Sequence, residues 1–201
     1  MKKSKLTQAF ALAAHAHEGQ FRKGTKTPYI SHPMVVAGIV AEHGGTELQI
    51  IAALLHDVIE DSDYTFQDIK NRFGPKIAQI VRDLSDTETN PKPAWKKRKE
   101  DYLIHLKTKA KEEALLVSAA DKVHNARAIN MDVTEAGRQA KRVWARFSAP
   151  KEEILWYYQE LFKIYQKRMR QMPKPKKGLR HLVNVRLKAE VDRMKELVLS
   201  K

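Results

Sequence analysis

The chain has 201 residues and no cysteine, and its 38 Lys and Arg against 24 Asp and Glu give a formal net charge of +14. This length fits one domain, with or without an appendage, and the absence of cysteine excludes disulfides, a thiolate zinc site and a cysteine nucleophile. The positive charge attracts anionic partners, which include nucleic acids, membrane surfaces and phosphorylated small molecules, and it does not choose among them. Because no apolar run is long enough for a membrane span or a signal peptide, we expect a cytoplasmic protein.

The first half of the chain predicts a series of helices. Apolar residues recur with helical spacing over five stretches: Lys5–Glu18, Met34–His43, Glu47–Glu60, Phe66–Phe73 and Lys76–Leu84. Thr46 and Thr65 each precede one of these stretches and are candidate N-caps. Between the first two stretches lies an irregular segment that contains glycine and prolines.

The second half predicts longer helices after a polar loop at Asp86–Pro93. The expected helices are Ala94–Thr108, Lys111–Ile129 and a helix from Pro150 to about Met169, with a short helix or ordered loop within Gly137–Phe147. The run Pro173–Gly178 is typical of a linker. Leu179–Leu199 then predicts an amphipathic helix, which either packs on the domain or pairs with a partner. Since few segments alternate as strands do, the predicted fold is all-α, with one domain over residues 1–172 and a basic linker and C-terminal helix over 173–201.

A cluster of charged side chains ends the predicted helix over Glu47–Glu60. His56 and Asp57 are followed by Glu60 and Asp61, and on a helix residues four apart share a face. The three carboxylates repel one another, and acids are unfavourable at the negative end of a helix dipole. A bound divalent metal would remove this conflict, whereas the alternative is an exposed acidic helix end.

Two other segments carry residues of the same chemical kind. His32 precedes Pro33, which disfavours helical geometry at His32 and predicts an extended turn facing a helix. Asp121 lies on an apolar helix and shares a polar face with His124 and Asn125. Considered alone, His32 is more simply explained as a solvated loop residue and Asp121 as a salt-bridged one.

Together these segments supply a set of metal ligands. The set contains two imidazoles and two carboxylates: His32, His56, Asp57 and Asp121. Such a set suits Mn, Fe or Zn better than Mg or Ca, and a metal of this kind polarises a phosphoryl oxygen and acidifies water. Glu60 and Asp61 could position that water and take its proton.

The stretch from about His15 to Ala128 resembles the HD-superfamily hydrolase domain of the RelA/SpoT proteins, which degrade the alarmones ppGpp and pppGpp of the stringent response. The resemblance depends on PYISHP at Pro28–Pro33, LLHDVIED at Leu54–Asp61 and ADKVHNAR at Ala120–Arg127. The HD pair alone is a weak signal, and the three motifs in this order are specific. The basic segment Lys92–Lys99 and the tail after Pro173 do not match the family clearly.

The resemblance implies an all-α, HD-domain fold and removal of the 3′-diphosphate as pyrophosphate, which leaves GDP or GTP. It implies one Mn²⁺, with Fe or Zn less favoured, on His32, His56, Asp57 and Asp121. It further implies that Glu60 and Asp61 activate water. It also implies that four residues lie near the nucleotide: Arg22, Lys23, Tyr29 and Asn125. The plain alternatives are a solvated loop pair for Arg22 and Lys23 and a core aromatic for Tyr29.

Other functions remain open at this point. The same site could act on another 3′-phosphorylated nucleotide, such as ppApp or a dinucleotide. A nucleic-acid-binding protein with an inactive site would use the basic surface, but the chain has no recognised nucleic-acid module, and the four ligands and both acids are intact. We therefore expect a nucleotide substrate and no nucleic-acid or membrane partner, with base specificity and homo-oligomerisation left open. Because the rest of the chain is too short for the family's synthetase domain, we expect a stand-alone hydrolase.

Overall fold

The computed structural model describes residues 4–87 and 91–200, and within these ranges the fold is built from helices and loops. The α-helices are α1 (Lys5–Ala16), α2 (Ser31–Glu42), α3 (Glu47–Leu55), α4 (Val58–Asp61), α5 (Phe66–Phe73), α6 (Pro75–Leu84), α7 (Trp95–Thr108), α8 (Glu112–Ala136), α9 (Ala140–Trp144), α10 (Lys151–Gln171), α11 (Lys177–His181) and α12 (Lys188–Leu199). A single isolated bridge pairs Phe21 with Pro28 within the described residues. The predicted all-α class is confirmed. The predicted polar loop at Asp86–Pro93 includes residues 88–90, which lie outside the described ranges.

Side-chain caps begin helices α3 and α5. The Thr46 hydroxyl accepts a hydrogen bond from the Gln49 amide, and the Gln49 side chain accepts one from the Thr46 amide at 3.0 Å. Thr65 and Asp68 make the same reciprocal pair at the start of α5. Each pair satisfies backbone donors that have no partner inside the helix. Both predicted N-caps are therefore confirmed.

The helix expected over Glu47–Glu60 is divided, because α3 ends at Leu55 and α4 begins at Val58. The ring of His56 donates from Nδ1 to the Ala53 carbonyl at 2.7 Å. A continuous helix would offer that carbonyl to the backbone N–H of Asp57. His56 and Asp57, which are metal-ligand candidates, therefore lie in the turn between α3 and α4. The acid pair Glu60 and Asp61 lies on α4.

The prediction of an extended turn at His32 is wrong, because His32 is the second residue of α2. Pro33 is tolerated in this first turn, where a backbone N–H would have no acceptor within the helix.

A second difference concerns α8, which continues past Ile129 to Ala136. Its added turns are held by tertiary contacts, since the Asn130 side chain donates to the Glu190 carbonyl at 2.9 Å. A third is at α10, which begins at Lys151, so Pro150 precedes the helix instead of lying inside it.

Helix α8 runs through the middle of the core, with α2, α3 and α6 on one side and α10 and the C-terminal helix on the other. The C-terminal helix is continuous from α11 through a π-helical segment, Leu182–Leu187, into α12. Its side chains Leu182, Leu187 and Met194 are fully buried. Of the two alternatives for this segment, the helix packs on its own chain. Within the described part of the chain, no helix is long and apolar enough to cross a membrane.

Candidate metal centre and active-site cleft

The four side chains predicted as metal ligands lie together. His32 comes from the first turn of α2, His56 and Asp57 from the turn after α3, and Asp121 from α8. His32 Nε2 lies 3.1 Å from both His56 Nε2 and Asp121 Oδ1, and 3.5 Å from Asp57 Oδ2. His56 Nε2 lies 3.2 Å from Asp57 Oδ2 and 3.7 Å from Asp121 Oδ1. Donor atoms that each lie roughly 2.0–2.2 Å from one cation are about 3 Å apart, so this spacing fits a shared metal ion.

Neighbouring groups orient both imidazoles toward the centre of this cluster. The Nδ1 of His56 donates to the Ala53 carbonyl, so its Nε2 faces His32 and the two carboxylates. The Nδ1 of His32 lies 2.6 Å from Nδ1 of His124. Burial and the charges of His32 and Arg22 lower the pKa of His124 to about 3, so His124 is neutral and can accept this hydrogen bond. Outer hydrogen bonds of this type are the usual support of metal-ligating histidines.

Both carboxylates of the cluster are held ionised. Burial raises the pKa of Asp57, but the charge of His56 lowers it overall, and the Tyr29 hydroxyl donates to Asp57 Oδ2 at 2.7 Å. Burial likewise raises the pKa of Asp121, and the adjacent Lys122 lowers it well below its usual value. Two anionic oxygens and two imidazole nitrogens form a donor set that suits a divalent transition metal.

The same carboxylates raise the pKa of His56. Burial lowers that pKa, but the charge of Asp57 and the hydrogen bonds to Asp121 and Asp57 raise it well above 6.5 overall. A metal ion and this proton compete for the same lone pair. The cluster therefore holds either a metal ion or a proton on His56.

The acid pair Glu60 and Asp61 lies on α4, one turn beyond Asp57. Lys92 Nζ lies 3.2 Å from Glu60 Oε1 and 2.8 Å from Asp61 Oδ1. Burial raises the pKa of Glu60 to about 7, the charges of Asp86 and Asp57 act in the same direction, and Lys92 opposes them. A carboxyl group that titrates near neutral pH can exchange protons efficiently in a reaction.

A cleft of about 510 Å³ opens beside the cluster and is lined by all four residues predicted to lie near the nucleotide, Arg22, Lys23, Tyr29 and Asn125. Arg22 donates to the Asn125 side-chain oxygen at 2.8 Å, and its guanidinium carbon is 5.6 Å from the Tyr29 ring centroid. The remaining walls carry lysines and aromatic rings: Trp95, Lys99, Lys122, Phe147, Tyr157 and Tyr158. Mixed cationic and aromatic walls suit a phosphorylated nucleoside.

Sequence reasoning missed several of these residues. It named His124 only as a neighbour of Asp121, although His124 contacts His32. It did not find Asp86, whose backbone N–H donates to Glu60 Oε2 at 3.4 Å, or the pairing of Lys92 with the acids. The contact of Lys122 with Asp121 could have been predicted, because the two residues are adjacent in the sequence. The contacts of His124, Asp86 and Lys92 have no local signal, because their partners are distant in the sequence.

The fold and the donor set define a helical domain built around a divalent-metal site. A family model described as HD domain matches residues 9–155, and the chain belongs to this family. It is similar to the guanosine-3′,5′-bis(diphosphate) 3′-pyrophosphohydrolase MESH1 of Xenopus tropicalis, with 38% identity over 152 residues that cover 74% of this chain and 82% of the relative. The bifunctional (p)ppGpp synthase/hydrolase SpoT of Escherichia coli is 36% identical over 130 residues, which cover 62% of this chain and 18% of SpoT.

A solved structure resembles the whole chain. It is a metazoan orthologue of SpoT that hydrolyses ppGpp, and it covers 99% of both chains with a TM-score of 0.65 and 25% identity. The likeness to solved structures therefore extends beyond the family match and includes the C-terminal helix.

Proposed function

We propose that this protein hydrolyses ppGpp and pppGpp to pyrophosphate and GDP or GTP. The observation that carries the proposal is the cluster of four donor side chains, with the acid pair one turn beyond Asp57 and with Tyr29 and Lys122 linking the cluster to the cationic, aromatic cleft. The choice of substrate is supported by the relatives and the solved structure, whose names state hydrolysis of this nucleotide.

We propose Mn²⁺ as the metal, held by His32, His56, Asp57 and Asp121. The donor set supports this choice, because mixed imidazole and carboxylate ligands favour Mn, Fe or Zn over Mg and Ca. When bound there, a divalent cation supplies Lewis-acid polarisation of a phosphoryl oxygen.

The acid pair handles the proton of the attacking water. Ionised Glu60, whose pKa burial raises to about 7, takes that proton as the water attacks phosphorus. The bond between phosphorus and the 3′ oxygen breaks, and the proton held by Glu60 passes to that oxygen to give the 3′-hydroxyl. Asp61 lies beside Glu60 and orients the water. Lys92 holds both carboxylates through its ammonium group and keeps more of Glu60 ionised than burial alone would allow.

The cleft orients the nucleoside. Arg22 presents its guanidinium plane to the base, and its hydrogen bond with Asn125 fixes that plane. Lys23 meets the base or a phosphate. Tyr29 forms part of the wall, with its hydroxyl committed to Asp57. Holding the substrate in one orientation removes much of the entropic cost of reaching the transition state.

The test is an assay of products with metal-stripped protein. After addition of Mn²⁺, Fe²⁺, Zn²⁺ or Mg²⁺, ppGpp and ppApp are each supplied, and pyrophosphate and nucleotide are measured. We expect equal amounts of pyrophosphate and GDP from ppGpp, highest activity with Mn²⁺, and none in Asp57→Ala or Asp121→Ala. Release of single phosphate, or activity that survives metal removal, would contradict the proposal. The cytoplasmic location stays a prediction from the sequence.

A further inference from the structure

Two lysines lie at the end of the cleft that is next to the metal-donor cluster. Lys99 on α7 and Lys122 on α8 both line the cleft, and the side chains of both are mostly buried. Lys122 Nζ is 2.5 Å from Asp121 Oδ2, and Lys99 Nζ contacts Asp86 Oδ2. Both residues therefore line the cleft, and each ammonium group is held by a carboxylate.

Both of these aspartates connect to the reaction centre, Asp121 through its carboxylate and Asp86 through its backbone N–H. The other oxygen of Asp121, Oδ1, lies 3.1 Å from His32 Nε2. The backbone N–H of Asp86 donates to Glu60 Oε2. Lys122 thus contacts one of the metal donors directly, and Lys99 is one residue away, through Asp86, from the acid that handles the water. A phosphoryl group that reacts at the metal donors would therefore have these two lysines on the same side of the cleft.

Positive charge is concentrated at this end of the cleft. Asp86 serves two cations, because Arg98 lies 2.8 Å from the same Oδ2 atom that Lys99 contacts. Burial lowers the pKa of Lys99, and the charge of Lys122 lowers it further. Each of these buried ammonium groups has a carboxylate partner, but Asp86 is shared with Arg98 and Asp121 with the metal-donor cluster, so a further anion would be favourable here. A phosphate group is an anion of suitable size and charge.

Tyr157 supplies a second observation at the same wall. It lines the cleft, and Lys99 Nζ is 5.3 Å from its ring centroid. Its hydroxyl oxygen is buried and has no hydrogen-bond partner among the residues that the structure describes. Because a buried hydroxyl is normally paired, a phosphate oxygen at this wall would supply the missing bond.

We propose that Lys99, Lys122 and Tyr157 bind the terminal phosphate of the substrate's 3′-diphosphate. The assignment rests on the proposed function and adds the part of the site that distinguishes a 3′-diphosphate from a 3′-monophosphate. The three residues bind and position this phosphate, and the bond cleavage remains with the metal donors and the acid pair. The two ends of the cleft then bind different parts of the substrate. The lysines and Tyr157 bind the terminal phosphate, and Arg22 and Asn125 bind the nucleoside.

Titration with inorganic pyrophosphate tests this subsite without turnover. Calorimetry on the Mn²⁺-loaded protein compares wild type with Lys99→Gln, Tyr157→Phe and the control Lys97→Gln, whose side chain is exposed on α7 and pairs with Asp101. Loss of a charge-assisted hydrogen bond weakens binding about 10- to 100-fold. We therefore expect a loss of this size for pyrophosphate in Lys99→Gln, a smaller loss in Tyr157→Phe, and none in the control. Mn²⁺ affinity should be unchanged in all variants, and unchanged pyrophosphate affinity in Lys99→Gln and Tyr157→Phe overturns the assignment.

Kinetics with two substrates separate this inference from the function on which it rests. The substrates are ppGpp and the analogue that carries a single 3′-phosphate. In Lys99→Gln we expect kcat/KM to fall about tenfold more for ppGpp than for the analogue, which corresponds to one lost ionic hydrogen bond. Equal losses for both substrates overturn the subsite while leaving the hydrolase intact. If wild type cleaves neither substrate, the proposed function fails, and the pyrophosphate titration still decides whether the subsite exists. Tyr157→Phe, which deletes only an unpaired hydroxyl, should melt no lower than wild type and provides the test if Lys99→Gln does not fold.

Discussion

Replacement of Lys92 with Met should move the acid side of the pH–rate profile to higher pH. The Lys92 ammonium nitrogen lies 3.2 Å from Glu60 Oε1, and its positive charge stabilises the ionised carboxylate. Burial raises the pKa of Glu60 to about 7 even with Lys92 in place. Without Lys92 the pKa rises further, so Glu60 is protonated, and unable to take a proton, over a wider range of pH.

The size of this shift follows from the distance and the exposure. Two unit charges at the 3.2 Å between Lys92 and Glu60 interact by about 1 kcal/mol with the dielectric constant of water and by about 5 kcal/mol at an effective value near 20. The Lys92 side chain is 40% exposed, so solvent screens the pair and the lower figure applies. About 1 kcal/mol corresponds to roughly 0.7 pH unit.

The measurement is kcat/KM for pyrophosphate release from ppGpp, at saturating Mn²⁺, from acid to mildly alkaline pH. Lys92→Met should shift the acid limb upward by about 0.5–1 pH unit, and added salt should reduce the difference between the two proteins. Because Lys92 also contacts Asp61, the shift reports the acid pair as a unit. Lys97→Met on the exposed face of α7 should leave the profile unchanged. An acid limb that stays in place or moves to lower pH in Lys92→Met would refute this electrostatic reasoning.

Two further predictions concern the support of the metal centre and the core. His124→Phe removes the acceptor of the His32 Nδ1–H, so Mn²⁺ affinity measured by calorimetry should fall roughly 10- to 100-fold; the exposed His15→Phe is the control, and equal affinities in the two variants would contradict the role. Leu187→Ala opens a cavity at a fully buried position and should lower the free energy of unfolding by about 2–5 kcal/mol in urea titrations. Val185→Ala, at an exposed position of the same π-helical segment, should change it by less than about 0.5 kcal/mol, and similar losses at the two positions would show that the segment is not packed as described.

Where a capping residue begins a helix and a glycine or proline ends it, these local signals predicted the bounds of the helix. Helix α5 has the bounds Phe66–Phe73 that the pattern indicates, because Thr65 caps its start and Gly74 with Pro75 ends it. The end of α8 was not predictable in this way. Its last turns are stabilised by contacts with the C-terminal helix, such as that between Asn130 and Glu190, and these contacts have no counterpart in local sequence.

The candidate site was predicted where short motifs carry it. His56 and Asp57 are adjacent, and their spacing to Glu60 and Asp61 is that of one helical turn, so local chemistry indicates a cluster. The geometry at His32 was predicted wrongly, because a local preference at residues before proline gave way to the packing of α2 against the core. The contacts of Lys92, Lys99 and Asp86 depend on how α7 and the loop before it pack against α4. Sequence periodicity does not predict that packing.

The four donors come from three separate parts of the chain, and this has a thermodynamic consequence. His32, Asp57 and Asp121 lie far apart along the chain and meet only when α2, the α3–α4 turn and α8 are folded together. A cation bound to these donors stabilises the folded state, because the unfolded chain offers no comparable site. A ligand that binds only the folded state adds about 2.7 kcal/mol of stability at 100 times its Kd. The melting temperature of this protein should therefore rise with free metal and fall with chelator, so that heat denaturation reports metal occupancy in the absence of any nucleotide.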